Sequence, residues 1–145
     1  MSEYFNASES PFNGKFPDGH PIRVYLEENI LIRGMIKELR YTDIQNNFDF
    51  FVELFEKLGK VEVHFARKEN QLFPYLEKHG WTSPSQNMWA LHDQIRAEIK
   101  NTKEAIRANN YTLIVHASQA VYSTLEHLLQ VEEGKLLPRA MEMIS

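Results

Sequence analysis

Two turns of this chain share a frame in which histidines and carboxylates come within reach of one another. Glu69-x2-Leu72-Phe73-Pro74 returns 64 residues later as Glu133-x2-Leu136-Leu137-Pro138, with His64 upstream of the first copy and His127 upstream of the second. A histidine and a carboxylate about one helical turn apart can point at the same atom. Two such turns on two helices can hold a metal ion between them. The chain has no cysteine, which excludes disulfides, thiolate metal sites, iron–sulfur clusters and cysteine nucleophiles. Any metal must then be held by His, Asp or Glu, a donor set that suits iron, manganese or zinc.

The histidines differ in how well they fit that role. His64 lies between Val61 and Phe65 on the border of an apolar stripe, and His92 lies beside Met88 and Ile95 on a buried side. A buried histidine without a partner costs desolvation energy, so each needs a metal or a carboxylate. Glu69 follows His64 by five positions, and the position at the better spacing of four is Lys68, which cannot ligate while protonated. Glu62 shares the face of Glu69 and offers a second carboxylate. His127 stands beside its apolar stripe, eleven residues after His116 and shortly before Glu132 and Glu133; Glu132 aligns with Leu128 and Val131 and leans inward. His20, just before Pro21 and ahead of Glu27 and Glu28, is either a helix-start residue or a ligand reaching into the mouth of the site. His79 before Gly80 reads as a structural residue at a helix C-terminus. The candidate metal ligands are therefore His20, His64, Glu69, His92, His127, Glu132 and Glu133.

Four helices must position these groups. From His20 to about Arg40, Leu26, Ile30, Leu31, Met35, Ile36 and Leu39 recur at spacings of three and four. A second helix is expected from about Phe48 to Lys78, capped by Asn47 or Asp43, with Phe51, Leu54, Phe55, Leu58, Val61, Phe65, Leu72 and Leu76 inward. Ser83-Pro84-Ser85-Gln86 is a capping-box start for a third helix running to about Arg107. Asn109-Asn110 breaks the pattern before a fourth helix from about Tyr111 to Met141, with Ile114, Val121, Leu125, Leu128 and Val131 inward. Short links and the lack of strand signals predict an all-α, up-down-up-down antiparallel four-helix bundle over 20–145. Residues 1–19, with Tyr4, Phe5, Phe12 and Phe16, form an arm expected to pack on the bundle. Pro74 and Pro138 each remove a helical hydrogen bond, to the carbonyls of Asn70 and Gly134, which predicts a matched kink or helix end in the second and fourth helices.

Composition narrows the function. The 145 residues suffice for one domain with a sizeable core, and a net charge of −4 with mixed signs argues against nucleic acid. No apolar run approaches the ~20 residues of a membrane span, and the first residues lack the features of a signal peptide. A cytoplasmic protein with no membrane partner is the expectation. The initial methionine leads us to expect a complete or separately expressed unit.

These residues carry a resemblance. Gly19-His20-Pro21, Glu28-Asn29, His64-Phe65-Ala66-Arg67-Lys68-Glu69-Asn70 running into Leu72-Phe73-Pro74-Tyr75-Leu76-Glu77, Met88-Trp89 with His92-Asp93 and Ile95-Arg96, and Glu132-Glu133 with Leu136-Leu137-Pro138 make the chain similar to hemerythrin-like (HHE cation-binding) domains. It resembles in particular the bacterial subgroup found beside DUF438 and PAS modules. The resemblance implies a left-handed bundle around a non-haem di-iron centre, with His20, His64 and His92 at ligand positions and Glu132 at the position of a family glutamate. The chain departs from the pattern at Lys68, where a glutamate is usual, and at Leu128 and Arg96, where histidines are usual. The function so implied is sensing or handling of oxygen, nitric oxide or redox stress, with a small diatomic ligand and a signalling domain as partners. The alternatives are a di-iron enzyme, a haem-binding bundle with two axial histidines, and a metal-free interaction module.

Overall fold

The computed structural model describes residues 21–78, 80 and 83–136. Helix α1 spans Pro21–Tyr41, and the second rod is built of α2, Phe48–Gly59, α3, Val61–Arg67, a π-helical turn, Lys68–Leu72, and α4, Phe73–Lys78. Helix α5 spans Ser83–Arg107, and α6, Tyr111–Val131, leads into a second π-helical turn, Glu132–Leu136. Helix α5 packs along α6, α1 touches α2, α3 and α6, and α4 reaches α5, so four antiparallel rods close around one core. No strand occurs among the described residues. The all-α up-down-up-down bundle is therefore the observed fold. The arm, His20 and His79 lie outside the described residues, as do the Leu76 side chain and the Ser83 side chain on which the expected capping box rests.

The core follows the predicted stripes with one shift of face. On α1, Ile30 is 41% exposed, while Tyr25, Ile32, Met35, Ile36 and Leu39 are buried. The inward face of α1 thus runs through Tyr25, Glu28, Asn29 and Ile32, because it carries buried polar residues that an apolar count passes over. On the second rod Phe51, Leu54, Phe55, Leu58, Val61, Phe65 and Leu72 are all buried as expected. Helix boundaries follow local chemistry. Asn109 takes the left-handed conformation at φ 53°, which asparagine tolerates better than most residues. Asn110 then caps α6, its side chain accepting from the backbone N–H of Leu113 at 3.1 Å. Asn47 is the residue before α2 but makes no side-chain cap bond; Asp43 instead holds the preceding turn, accepting from Asn46 Nδ2 at 2.6 Å.

The prolines act earlier than a simple kink. In both copies the Glu-x2-Leu part of the frame falls in a π-helical turn that ends two residues before the proline position. Pro138 itself lies outside the described residues. A proline leaves the carbonyl four residues back without its donor; a π turn takes up such a break by inserting one residue, and such turns concentrate at functional sites. On a regular helix adjacent side chains diverge by roughly 100°. Here the consecutive Lys68 and Glu69 are both buried, as is Glu132 at the start of the second turn. We expect Asn110→Ala to cost about 1 kcal/mol through loss of the α6 cap, measured as a lower urea midpoint with an unchanged slope.

Candidate metal centre

The two π turns face one another across the core. Each begins with a buried residue at an equivalent position of the repeat, Lys68 in one and Glu132 in the other, and these two are hydrogen-bonded as a fully buried ion pair. The next residue of each turn is a glutamate clamped from a neighbouring helix by a pair spaced i, i+4. Glu69 accepts from His92 Nδ1 at 2.7 Å and from Arg96 Nη2 at 2.9 Å, both on α5. Glu133 accepts from Asn29 Nδ2 at 3.1 Å and from Arg33 Nη1 at 2.6 Å, both on α1. The internal symmetry seen in the sequence frame thus extends to partners on the other two rods, with Asn29 in the place of His92 and Leu128 in the place of His64.

The two inner histidines are held alike. His64 Nδ1 meets Glu28 Oε1 at 2.9 Å, and the same oxygen accepts from Arg67 Nη1 at 2.5 Å. His92 Nδ1 meets Glu69, which Arg96 also holds. Carboxylates only accept, so Nδ1 carries the proton in His92, and in His64 Nδ1 makes the shorter of two carboxylate contacts, 2.9 Å against 3.4 Å at Nε2. Each histidine therefore ends an Arg–Glu–His relay that fixes its orientation, as in the second shell of metal-binding histidines. The His64 Nε2 atom lies 3.4 Å from Glu132 Oε1. The His92 Nε2 atom is buried and has no hydrogen-bond partner among the described residues, and neither does Glu132 Oε2. The ring of His92 stacks on Phe65 at 4.1 Å and on Phe73 at 5.7 Å, and Tyr25 sets its edge against the His64 ring.

Burial and charge set the protonation of this cluster. Burial, helped by Lys68, pushes His92 down to about 2, so its Nε2 bears a free lone pair. Burial alone would raise Glu132, but Lys68 and His64 outweigh it and pull the carboxyl down to about 2. Burial lowers the Lys68 ammonium from its ordinary value, against the pull of Glu132.

The candidate ligands sort as follows. His64, Glu69, His92 and Glu132 are brought together in the buried centre. Glu133 is half-buried at its edge, tied to Arg33. His127 is exposed on α6 and takes no part; the stripe it borders turns Leu128 and Leu129 inward instead. His20 lies outside the described residues. Sequence reasoning passed over Arg67, because a boundary arginine carries no periodic signal, and Tyr25, hidden by the shifted face of α1.

The described residues as they stand do not offer donors for two metal ions. Of the donors that would bridge a pair, Glu69 is engaged by Arg96, and the first-copy position equivalent to Glu132 is a lysine. No three His, Asp or Glu side chains among the described residues are arranged to hold an ion together. The free donor atoms near the centre are His92 Nε2 and Glu132 Oε2, buried and without a hydrogen-bond partner among the described residues, and His64 Nε2 lies beside Glu132.

Both depressed groups take up protons on unfolding in acid. Their stabilisation is present above the ordinary values of 6.5 for His92 and 4.5 for Glu132, and it is lost as pH falls towards 2. We expect unfolding free energy to start falling below pH 6.5, with a slope approaching about 1.4 kcal/mol per unit for one proton. It steepens once Glu132 titrates in the unfolded chain. Urea melts from neutral to acid pH check this, and His92→Gln removes the upper phase; identical profiles for the variant and the wild type contradict the assignment.

A protein-family model described as the Hemerythrin HHE cation binding domain matches residues 20–140. No curated protein and no solved structure matches the chain.

Proposed function

This chain belongs to the hemerythrin HHE cation-binding family, and we propose that within it the domain binds one iron-type ion and senses or handles a small redox ligand such as oxygen or nitric oxide. The observation that carries this reading is the pair of Arg–Glu–His relays, each of which holds an inner histidine by Nδ1, with His92 Nε2 unpartnered among the described residues and His64 Nε2 turned to Glu132 at 3.4 Å. His64 and His92 would supply imidazole nitrogen and Glu132 the carboxylate, donors that must draw together around the ion; two histidines and one carboxylate suit non-haem ferrous iron with open positions. His20 is a proposed fourth ligand. An iron ion held by these residues would have coordination positions left for a diatomic ligand. The chain's own contribution is to hold both rings by Nδ1, to exclude water with Phe65, Phe73 and Tyr25, and to keep Glu132 ionised. Glu69 acts in this reading as the carboxylate that orients His92, and Glu133 as a brace between the fourth rod and α1.

A second reading, a metal-free interaction module, is favoured by the buried Lys68–Glu132 pair. Anaerobic ferrous loading followed by metal analysis separates the two. We expect one iron per chain and a new visible band on adding nitric oxide, both lost in His64→Ala and His92→Ala while the variants stay helical. Two irons per chain would sink the single-ion assignment. A folded chain that retains no iron would sink metal binding itself, and a Soret band on haem titration would point to the haem alternative.

A further inference from the structure

We infer that Lys68 is the resident cation of this centre: its ammonium holds the place on Glu132 that a metal ion would take, so the bundle folds metal-free and Lys68 and metal exclude one another. Three observations carry this. First, Lys68 and Glu132 are both 0% exposed and hydrogen-bonded to each other. A lysine is almost never fully buried without a partner, and Glu132 is the carboxylate it faces.

Second, the charges balance residue by residue. Arg67 covers Glu28, Arg96 covers Glu69 (and also meets the exposed Asp93 and Glu62) and Lys68 covers Glu132, so these three buried carboxylates each face a different cation. A divalent ion added to this set leaves an uncompensated positive charge in a dry interior, which is strongly unfavourable. It is accommodated when Lys68 gives up Glu132. Third, Lys68 and Glu132 occupy equivalent positions of the internal repeat, 64 residues apart. The pair brings opposite charges to the symmetric centre of the fold, where two carboxylates without a bound cation would repel. The ammonium also lies 5.5 Å from the centre of the Phe65 ring, whose face favours a cation.

The exclusion of metal by Lys68 rests on the proposed single-ion site; the role of Lys68 as the cation of the metal-free fold does not. Wild type, Lys68→Met and the double variant Lys68→Met/Glu132→Gln are stripped with EDTA, melted, and titrated with Co(II), whose visible spectrum reports binding. In EDTA we expect the wild type to keep its melting temperature and Lys68→Met to lose about 10 °C, as for a buried pair broken on one side. The double variant, with no bare carboxylate, melts near the wild type. Lys68→Met binds Co(II) at least about tenfold more tightly than the wild type and regains its lost melting temperature, whereas the double variant does not. If Lys68→Met fails to fold in EDTA while the double variant folds, the resident-cation role is supported. The inference is overturned if Lys68→Met melts like the wild type in EDTA, or binds Co(II) no more tightly than a wild type that does bind it. Absence of Co(II) binding in the wild type alone, with binding in Lys68→Met, counts against metal function of the natural chain and for Lys68. If none of the three binds Co(II), the single-ion reading fails and the melting temperatures in EDTA alone decide the role of Lys68.

Discussion

Charge neutrality in the dry centre of the bundle is the constraint on which the rest depends. Glu28, Glu69 and Glu132 are carried into the core by three different rods, and a lone buried carboxylate is costly enough to prevent folding. The fold meets this with Arg67 and Arg96, which snorkel from the boundary with about a quarter of their side chains exposed, and with Lys68, which is buried outright. Removing one member of such a pair costs far more than the pair contributes, so the polar centre resists piecemeal change. The large apolar residues around it, Phe51, Phe55, Phe65 and Ile32 among them, supply the burial that offsets holding charges there.

The two π turns are the means by which backbone geometry serves that centre. In the first turn the consecutive Lys68 and Glu69 are both buried and face different partners, Glu132 for the lysine and His92 with Arg96 for the glutamate. The inserted residue lets one turn supply a group for the middle, Lys68 or Glu132, and a glutamate that ties the rod to a neighbouring helix, Glu69 or Glu133. The clamps on those glutamates, His92 with Arg96 and Asn29 with Arg33, keep the same i, i+4 spacing on the two rods that lack π turns. The internal symmetry is thus a property of the whole four-rod assembly, with the chemistry concentrated in one half. Both described inner histidines sit on the side of Lys68, while Leu128 and Asn29 take their places on the side of Glu132.

Much of this was legible in the residues. The apolar stripes of the second rod and α6 were read as they fold, because uninterrupted periodic burial is a local pattern. The inner face of α1 was displaced, since Glu28 and Asn29 interrupt its stripe and buried polar residues look like surface ones in an apolar count. For the site, His64, His92, Glu69 and Glu132 were placed at the centre by their position beside apolar neighbours. His127 was not, because a residue at the stripe edge is turned in or out by a rotation that spacing alone does not resolve, and its helix turned Leu128 and Leu129 inward.

The sequence by itself determined the bundle, the exclusion of thiolate chemistry, the repeated frame, and the presence of a lysine where its partner copy has a glutamate. These follow from local periodicity, composition and proline chemistry, which need no knowledge of distant contacts. Tertiary structure alone decided what that lysine does. Residues 64 positions apart meet only when four rods close, and only then does Lys68 reach Glu132, Arg67 reach Glu28 and Arg96 reach Glu69. The physical reason is that a charge is acceptable in the core only beside its opposite, and which opposites are neighbours is settled by packing rather than by order along the chain.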